Sequence, residues 1–395
     1  MSVPTALRLQ RIPPYPFDEI AKIKAKKAAQ GVRVVDLGIG DPDLPTPAHI
    51  VEALCEAARD PSTHTYDESG FGLPQFREAV AGWYRGRFGV DLDPGCEIQS
   101  LIGSKEGIAH IFLAYLNPGD YALVPDPRYM VYSTGATFAD GSYHAMRLDP
   151  ERGYLPDLGA IPGDLVGKAR LLFVNYPNNP TGAVASLEFF SEVVEFGRRN
   201  GLLVCHDCAY SEVAYEGLRV PSILQVPGAK EVCLEFHSLS KTYNMTGWRV
   251  GFAVGNKEAV AALSRVKTNV DSGVFMAVQR AAVAALTGPQ DCVAQMQAAY
   301  QARRDQLVSG LCALGWEVEK PRATFYVWAR VPGSLTSAEF AARLLEKGNV
   351  LVIPGSLYGG HGEGYVRMSL TIKGPEKTGL IEQALAGVEG VLRAL

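Results

Sequence analysis

Leu171-Leu-Phe-Val174 runs into Asn175-Tyr-Pro-Asn-Asn-Pro-Thr-Gly182. A stretch with helical spacing follows at 186–200, then Leu202-Leu-Val-Cys205 and His206-Asp-Cys-Ala-Tyr210. A short, unbroken apolar run bounded by turn residues reads as a strand covered on both faces, and strand, helix, strand in that order make a parallel crossover unit. Working outward, Tyr121-Ala-Leu-Val124, Val232-Cys-Leu-Glu-Phe236 and Val250-Gly-Phe-Ala-Val254 are runs of the same kind. Together they predict an α/β fold with a mostly parallel sheet between layers of helices.

The flanks read differently. Ile12-Pro13-Pro14-Tyr15-Pro16-Phe17 leads into a helix expected from about Asp18 to Gly31. After a long helical stretch at about 289–313 come Trp316-Glu-Val-Glu319, Thr324-Phe-Tyr-Val-Trp328, a helix near 337–347, Val350-Leu-Val-Ile353 and Tyr365-Val-Arg-Met-Ser-Leu370, a set that reads as a smaller α+β unit.

At 395 residues, with 47% hydrophobic and 20% charged residues, the chain is long enough for two domains and too apolar for disorder. A net charge of −4 gives no footprint for nucleic acid. No apolar run reaches the roughly 18 residues of a membrane helix, and the opening residues lack a secretory pattern, so the expected address is cytoplasmic. Seven cysteines are odd in number and mostly lie in apolar stretches, so no disulfides are expected. Cys205-His-Asp-Cys208 has no second pair at zinc spacing, so no metal is expected.

Special polar residues cluster after the carboxyl ends of the buried runs, where open parallel sheets bind ligands. Asp207 and Lys241 each end an apolar run, where an unpaired charge costs several kcal/mol, so each needs a partner. Taken singly, Asn178-Asn-Pro-Thr-Gly182 is also a turn, Asp207 a helix cap and Lys241 a surface residue.

Gly40-Asp-Pro-Asp43 with Thr46-Pro47, Gly103-Ser-Lys105, Asn178-Asn-Pro-Thr-Gly182, Asp207 with Tyr210, Ser238-Leu-Ser-Lys241, Arg249 and Tyr365-Val-Arg367 follow one another in this order. The set resembles the class I/II aminotransferases, which use pyridoxal 5'-phosphate on the fold-type I scaffold, and the resemblance covers essentially the whole chain. Tyr15-Pro-Phe, Leu37-Gly-Ile-Gly-Asp41, Ser238-Leu-Ser-Lys241 and Pro354-Gly-Ser356 through Gly362-Glu-Gly-Tyr-Val-Arg367 are similar to the LL-diaminopimelate branch of that family. The resemblance implies a large domain at about 49–285 with a seven-stranded sheet. It also implies a small domain built from 1–48 and 286–395.

By the same resemblance Lys241 is the residue joined covalently to the cofactor, and it later acts as a base. Arg249, Ser238, Ser240 and the helix opened by Gly103-Ser104-Lys105 would hold the phosphate. Asp207 would keep the ring nitrogen protonated, Asn179 and Tyr210 would bond the ring oxygen, and Tyr129 would stack on the ring. Arg367 with Gly40 and Asn179 would take the substrate carboxylate. Tyr66 would cross to a partner subunit's phosphate, implying a homodimer, and Tyr15 would serve the far end of the substrate. Two departures stand out: His64-Thr65 precede Tyr66 where plant-type relatives carry an acidic residue, and Asp271-Ser-Gly273 replaces an Asn-rich stretch.

Other classes fit less well. Gly38-Ile-Gly-Asp-Pro-Asp43 lacks the third glycine of a dinucleotide fold. A regulator with an appended DNA-binding module would need more than about 30 residues before Gly31. A dead binding protein would have lost Lys241 or Asp207. An enzyme for alanine, for aspartate or of broad specificity, or a β-lyase on the same scaffold, would keep all of these residues.

Overall fold

Alternate side chains of each central strand go to opposite sides of one sheet. In the computed structural model, which describes residues 3–12, 16–374 and 377–395, Leu171 and Phe173 enter one apolar cluster and Leu172 and Val174 the other. The first cluster is closed by helices Ser104–Tyr115, Val131–Phe138 and Lys257–Val270, through Phe112, Tyr132 and Leu263. The second is closed by helices Pro74–Phe88 and Leu187–Asn200, through Phe76, Tyr84, Phe190 and Val194. Burial on both faces is why these strands read as unbroken apolar runs.

In chain order the strands are β1 (Val35–Asp36), β2 (Ile98–Leu101), β3 (Tyr121–Asp126), β4 (Ser142–Asp149), β5 (Leu155–Pro156), β6 (Ala169–Asn175), β7 (Leu203–Asp207), β8 (Cys233–Ser238), β9 (Gly251–Gly255), β10 (Tyr326–Arg330), β11 (Val350–Leu351), β12 (Ile353–Pro354) and β13 (Tyr365–Ser369). The large sheet has the order β2-β9-β8-β7-β6-β3-β4-β5. Pairs from β8 through β4 are parallel, while β9 is antiparallel to both its neighbours. Seven strands make the body of this sheet, and the two-residue β5 adds a short antiparallel edge.

Helix Leu187–Asn200 shows how local chemistry sets the crossover. The Ser186 side chain accepts from Phe189 N–H at 3.3 Å at its start, and Gly201, at φ 64°, ends it in the left-handed conformation. Such a cap is worth about 1 kcal/mol, and the glycine removes the Cβ penalty of that turn.

Downstream, the expected helices appear as Asp291–Ala313 and Ser337–Lys347, and β12-β13-β10 form a separate antiparallel sheet. One expectation fails here. Trp316-Glu-Val-Glu319 forms no strand; the Trp316 indole N–H donates to Arg330 O at 2.7 Å, so the segment is held from the side rather than in a ladder. The N-terminal helix spans Pro16–Ala29, and β1 pairs in parallel with β11, joining the two ends of the chain.

Candidate active site

The carboxyl ends of β6, β7 and β8 lie side by side, with Asn175 opposite Asp207 and Asp207 opposite Phe236. Asp207 shares strand parity with Cys205 and so faces the layer that contains Tyr132, whose hydroxyl donates to Asp207 Oδ2 at 2.7 Å. Asp207 Oδ1 is buried with no hydrogen-bond partner among the described residues. Burial pushes the Asp207 carboxyl above the ordinary carboxylate range, against the opposing pull of the Tyr132 hydrogen bond and the nearby histidines. A buried carboxylate oxygen without a donor is costly, and a cationic N–H placed there would remove the cost.

Beyond β8, the one-turn helix Leu239–Thr242 carries Lys241. Its Nζ donates to Gly40 O at 3.4 Å and lies 5.7 Å from the centre of the Phe325 ring. Burial pushes the Lys241 ammonium down to about 8; Asp41 opposes this, and the charges of Arg249 and Arg367 add to it. Lys241 is therefore a cation that sheds its proton near neutrality, as a lysine acting as base must.

Next to Lys241 is an anion cradle. Gly103 precedes helix Ser104–Tyr115 with φ 73° and ψ 154°, and a Cβ on it would strike the Arg249 guanidinium. Arg249 donates to Thr246 O at 2.9 Å and Ile102 O at 3.3 Å, fixing its head group beside Gly103 at the helix start. Gly251 lets β9 come close: a Cβ there would meet Ser104 N and His237 O. Ser238 is buried, and the buried Ser240 Oγ has no partner among the described residues. Lys105 lies 6.0 Å from the Tyr129 ring centre, and burial and then Arg249 push its ammonium down. Helix donors, a guanidinium and hydroxyls in this arrangement fit a phosphate.

On the opposite wall, β13 presents Arg367, which is 4% exposed. It donates to Asn179 Oδ1 at 3.0 Å and to Gly38 O at 2.7 Å, while its buried Nε has no partner among the described residues. Tyr326 packs 4.0 Å from the guanidinium and exchanges a 3.0 Å hydrogen bond with the Tyr210 hydroxyl. Gly40 has to be glycine, because a Cβ there would overlap the Tyr326 hydroxyl. The segment carrying Gly40 is tied down at Asp43, which accepts from Arg303 at 2.8 Å and pairs with Lys377 at 2.5 Å.

The structure thus brings Lys241, Asp207, Asn179, Tyr210, Arg249, Gly103, Ser104, Lys105, Tyr129, Ser238, Ser240, Arg367 and Gly40 to one end of the sheet. Tyr66 stands apart, 81% exposed, in a recess of about 550 Å³ shared with His64 and Asp271–Phe275. Tyr15 lies outside the described residues. Tyr132 and Tyr326 escaped the sequence reading: aromatic residues in helices and strands look like core, and no spacing marks the hydroxyls that reach Asp207 and Tyr210.

Residues 32–381 match the family Aminotransferase class I and II. The chain is 56% identical over 367 residues to an LL-diaminopimelate aminotransferase of Moorella thermoacetica, covering 93% of this chain and 94% of that one. It is 54% identical over 383 residues to one of Desulforudis audaxviator, covering 97% of each. Among solved structures, substrate-bound BacF from Bacillus subtilis superposes with a TM-score of 0.93 at 37% identity, covering 99% of this chain and 98% of that one. With a family match that runs through every strand end described above, the chain is an aminotransferase and belongs to the class I and II aminotransferases.

Proposed function

We propose that this aminotransferase uses pyridoxal 5'-phosphate to move an amino group between LL-diaminopimelate and 2-oxoglutarate, as a cytoplasmic homodimer. The observation that carries the cofactor reading is the buried Asp207 Oδ1, without a hydrogen-bond partner among the described residues, beside a lysine pushed down to about 8 and a helix-start anion cradle. Those three features fit, in turn, the ring N–H, the aldehyde and the phosphate of one molecule. The substrate reading is supported by full-length relatives that carry the LL-diaminopimelate aminotransferase name.

When bound, the cofactor supplies an electron-withdrawing ring that stabilises negative charge at the substrate Cα. Asp207 would keep the ring nitrogen protonated, with Asn179 and Tyr210 at the ring oxygen and Tyr129 against its face. Arg249, Ser238, Ser240 and the N–H groups of Gly103, Ser104 and Lys105 would hold the phosphate. Lys241 Nζ would anchor the cofactor and then, once neutral, take the proton from the substrate Cα. Arg367, with Asn179 and the Gly40 N–H, would grip the substrate carboxylate.

Residues 49–285 would act as the large domain, and 1–48 with 286–395 as the small one, closing over the substrate. The exposed Tyr66, with Val270 and Phe275 also exposed nearby in sequence to its recess, supports a two-fold partner that covers this face and receives Tyr66 at its phosphate. Tyr15 would meet the distal end of the substrate. Asp271, the other candidate to supply a negative charge for the distal ammonium, is less available, because its carboxylate is held by Lys267 at 3.2 Å. Among the described residues no helix is long and apolar enough to cross a membrane.

A donor screen tests the substrate. With 2-oxoglutarate as acceptor, LL-diaminopimelate should give the highest kcat/KM, by at least about tenfold over alanine, aspartate and aromatic amino acids, a margin of about 1.4 kcal/mol. Inert diaminopimelate beside rapid turnover of another donor would overturn the assignment.

A further inference from the structure

We infer that Tyr358 is a positioning residue for the substrate carboxylate: its ring steadies the Arg367 guanidinium, and the loop that carries it is seated on Asp126 and Arg128 at the end of β3. The inference rests on the reading of Arg367 as the carboxylate grip.

β13 is the middle strand of the small sheet, so Arg367 has a neighbour on each side. From β10 comes Tyr326, with its ring centre 4.0 Å from the guanidinium, and from the loop that leaves β12 comes Tyr358, with its ring centre at 5.0 Å. The hydrogen bonds to Asn179 Oδ1 and Gly38 O engage one N–H on each terminal nitrogen, and a planar cation can still tilt about them. Aromatic faces within about 6 Å attract a guanidinium and oppose that tilt. A fork that is already aimed loses less freedom when a carboxylate docks on it. Tyr358 is buried, and the Trp328 ring meets it edge to face at 5.9 Å, so the tyrosine ring is itself held.

The loop is built to keep Tyr358 there. Its neck is closed by Gly355 and Gly362, where a Cβ on either would overlap the carbonyl oxygen of the other. Glu363 ties the neck to helix Ser337–Lys347 by accepting from the Ser337 N–H and hydroxyl, both at 2.7 Å. The tip rests on the large sheet: the Arg128 N–H donates to Tyr358 O at 2.7 Å. Gly359, at φ 130°, lies so close to this seat that a Cβ would overlap Asp126 Oδ1 and meet the Arg128 guanidinium. Asp126 is buried and pairs with Arg128 at 3.3 Å, and Arg128 also donates to the Tyr143 hydroxyl at 3.2 Å. Arg128 directly precedes Tyr129, so the residue aimed at the cofactor face and the support of the carboxylate grip share one strand end.

The test separates a ring from a space filler. Tyr358→Phe keeps the aromatic face, whereas Tyr358→Leu fills apolar volume without one. Parent and variants, loaded with pyridoxal 5'-phosphate, are compared for donor KM, 2-oxoglutarate KM and kcat, and by calorimetric titration with glutarate, which has the carboxylates and cannot react. Tyr358→Leu should raise both KM values and the glutarate Kd about tenfold, the size of a desolvated cation–π contact. kcat and cofactor affinity should stay parental, the pattern of lost uniform binding. Tyr358→Phe should recover most of the glutarate affinity.

A folded Tyr358→Leu protein with parental glutarate binding, a Tyr358→Phe protein as weak as Tyr358→Leu, or an equal loss of cofactor affinity would overturn the proposal. If Tyr358→Leu does not fold, Gly359→Ala decides: its methyl lifts the loop tip off Asp126, and parental glutarate binding there would overturn the proposal too. Arg367→Gln separates the two claims, because parental glutarate binding in that variant would overturn the reading of Arg367 itself.

Discussion

Replacing Gly103 with alanine strains the anion cradle at one point. At φ 73° and ψ 154° the backbone sits in a region open essentially to glycine, and holding an alanine there costs about 1–3 kcal/mol. The new Cβ also overlaps the Arg249 guanidinium, so Arg249 must give up its 2.9 Å and 3.3 Å contacts to Thr246 O and Ile102 O. Arg249 is exposed, so solvent recovers much of that loss and the backbone cost dominates. At about 2.1 cal/mol/K per residue, 1 kcal/mol corresponds to about 1.2 °C for a cooperative chain of this length. Gly103→Ala should therefore lower the Tm of the cofactor-free protein by about 1–4 °C.

The effect on binding is larger and chemically selective. An Arg249 displaced from the cradle loses a charge-assisted contact to phosphate of about 1.5–3 kcal/mol, which is about tenfold to hundredfold in Kd. Titration of the cofactor-free parent and variant with pyridoxal 5'-phosphate and with pyridoxal separates the two contributions. Only the phosphorylated ligand should bind more weakly to the variant. Parental affinity for pyridoxal 5'-phosphate, or an equal loss for both ligands, would refute the placement of the phosphate at Gly103 and Arg249.

Asp207→Asn should fold normally and lose about 10²–10⁴ in kcat, the range of general acid–base contributions; near-parental turnover would reduce Asp207 to a structural role. Lys241, pushed down to about 8, should lose its proton as pH rises through that value, while exposed lysines remain charged to about 10.4. Amine labelling of the cofactor-free protein should accordingly rise at Lys241 between about pH 7 and 9, ahead of other lysines, and a parallel rise at all lysines would contradict the assigned shift. Tyr66→Phe should weaken cofactor retention in a manner that grows on dilution; full retention in a proven monomer would remove Tyr66 from the shared site.

The strands that the sequence revealed are those buried on both faces. β2, Ile98-Gln-Ser-Leu101, was hidden because Gln99 and Ser100 interrupt the apolar run, although the Gln99 amide is buried and donates to Gly70 O at 2.9 Å. β4 was hidden for the opposite reason: it lies next to the sheet edge with half-exposed residues, so its pattern is neither continuous nor cleanly alternating. Trp316-Glu-Val-Glu319 has strand-like alternation, but it meets the end of β10 through the Trp316 indole and Arg330 O rather than through a backbone ladder. Lys241 and Asp207 were legible because a charge ending an apolar run demands a partner. Glu235 inside Val232-Cys-Leu-Glu-Phe236 carried the same signal, but its partners, Tyr84, Ser222 and two histidines, converge only in three dimensions.

The central claim is that Lys241 is the residue joined to the cofactor, and borohydride reduction tests it most directly. The protein loaded with pyridoxal 5'-phosphate is reduced, digested and mapped by mass spectrometry. The account predicts bleaching of the cofactor absorbance and a single modified peptide, with the pyridoxyl group on Lys241. A label fixed on any other lysine, or full activity surviving in Lys241→Ala, would contradict it.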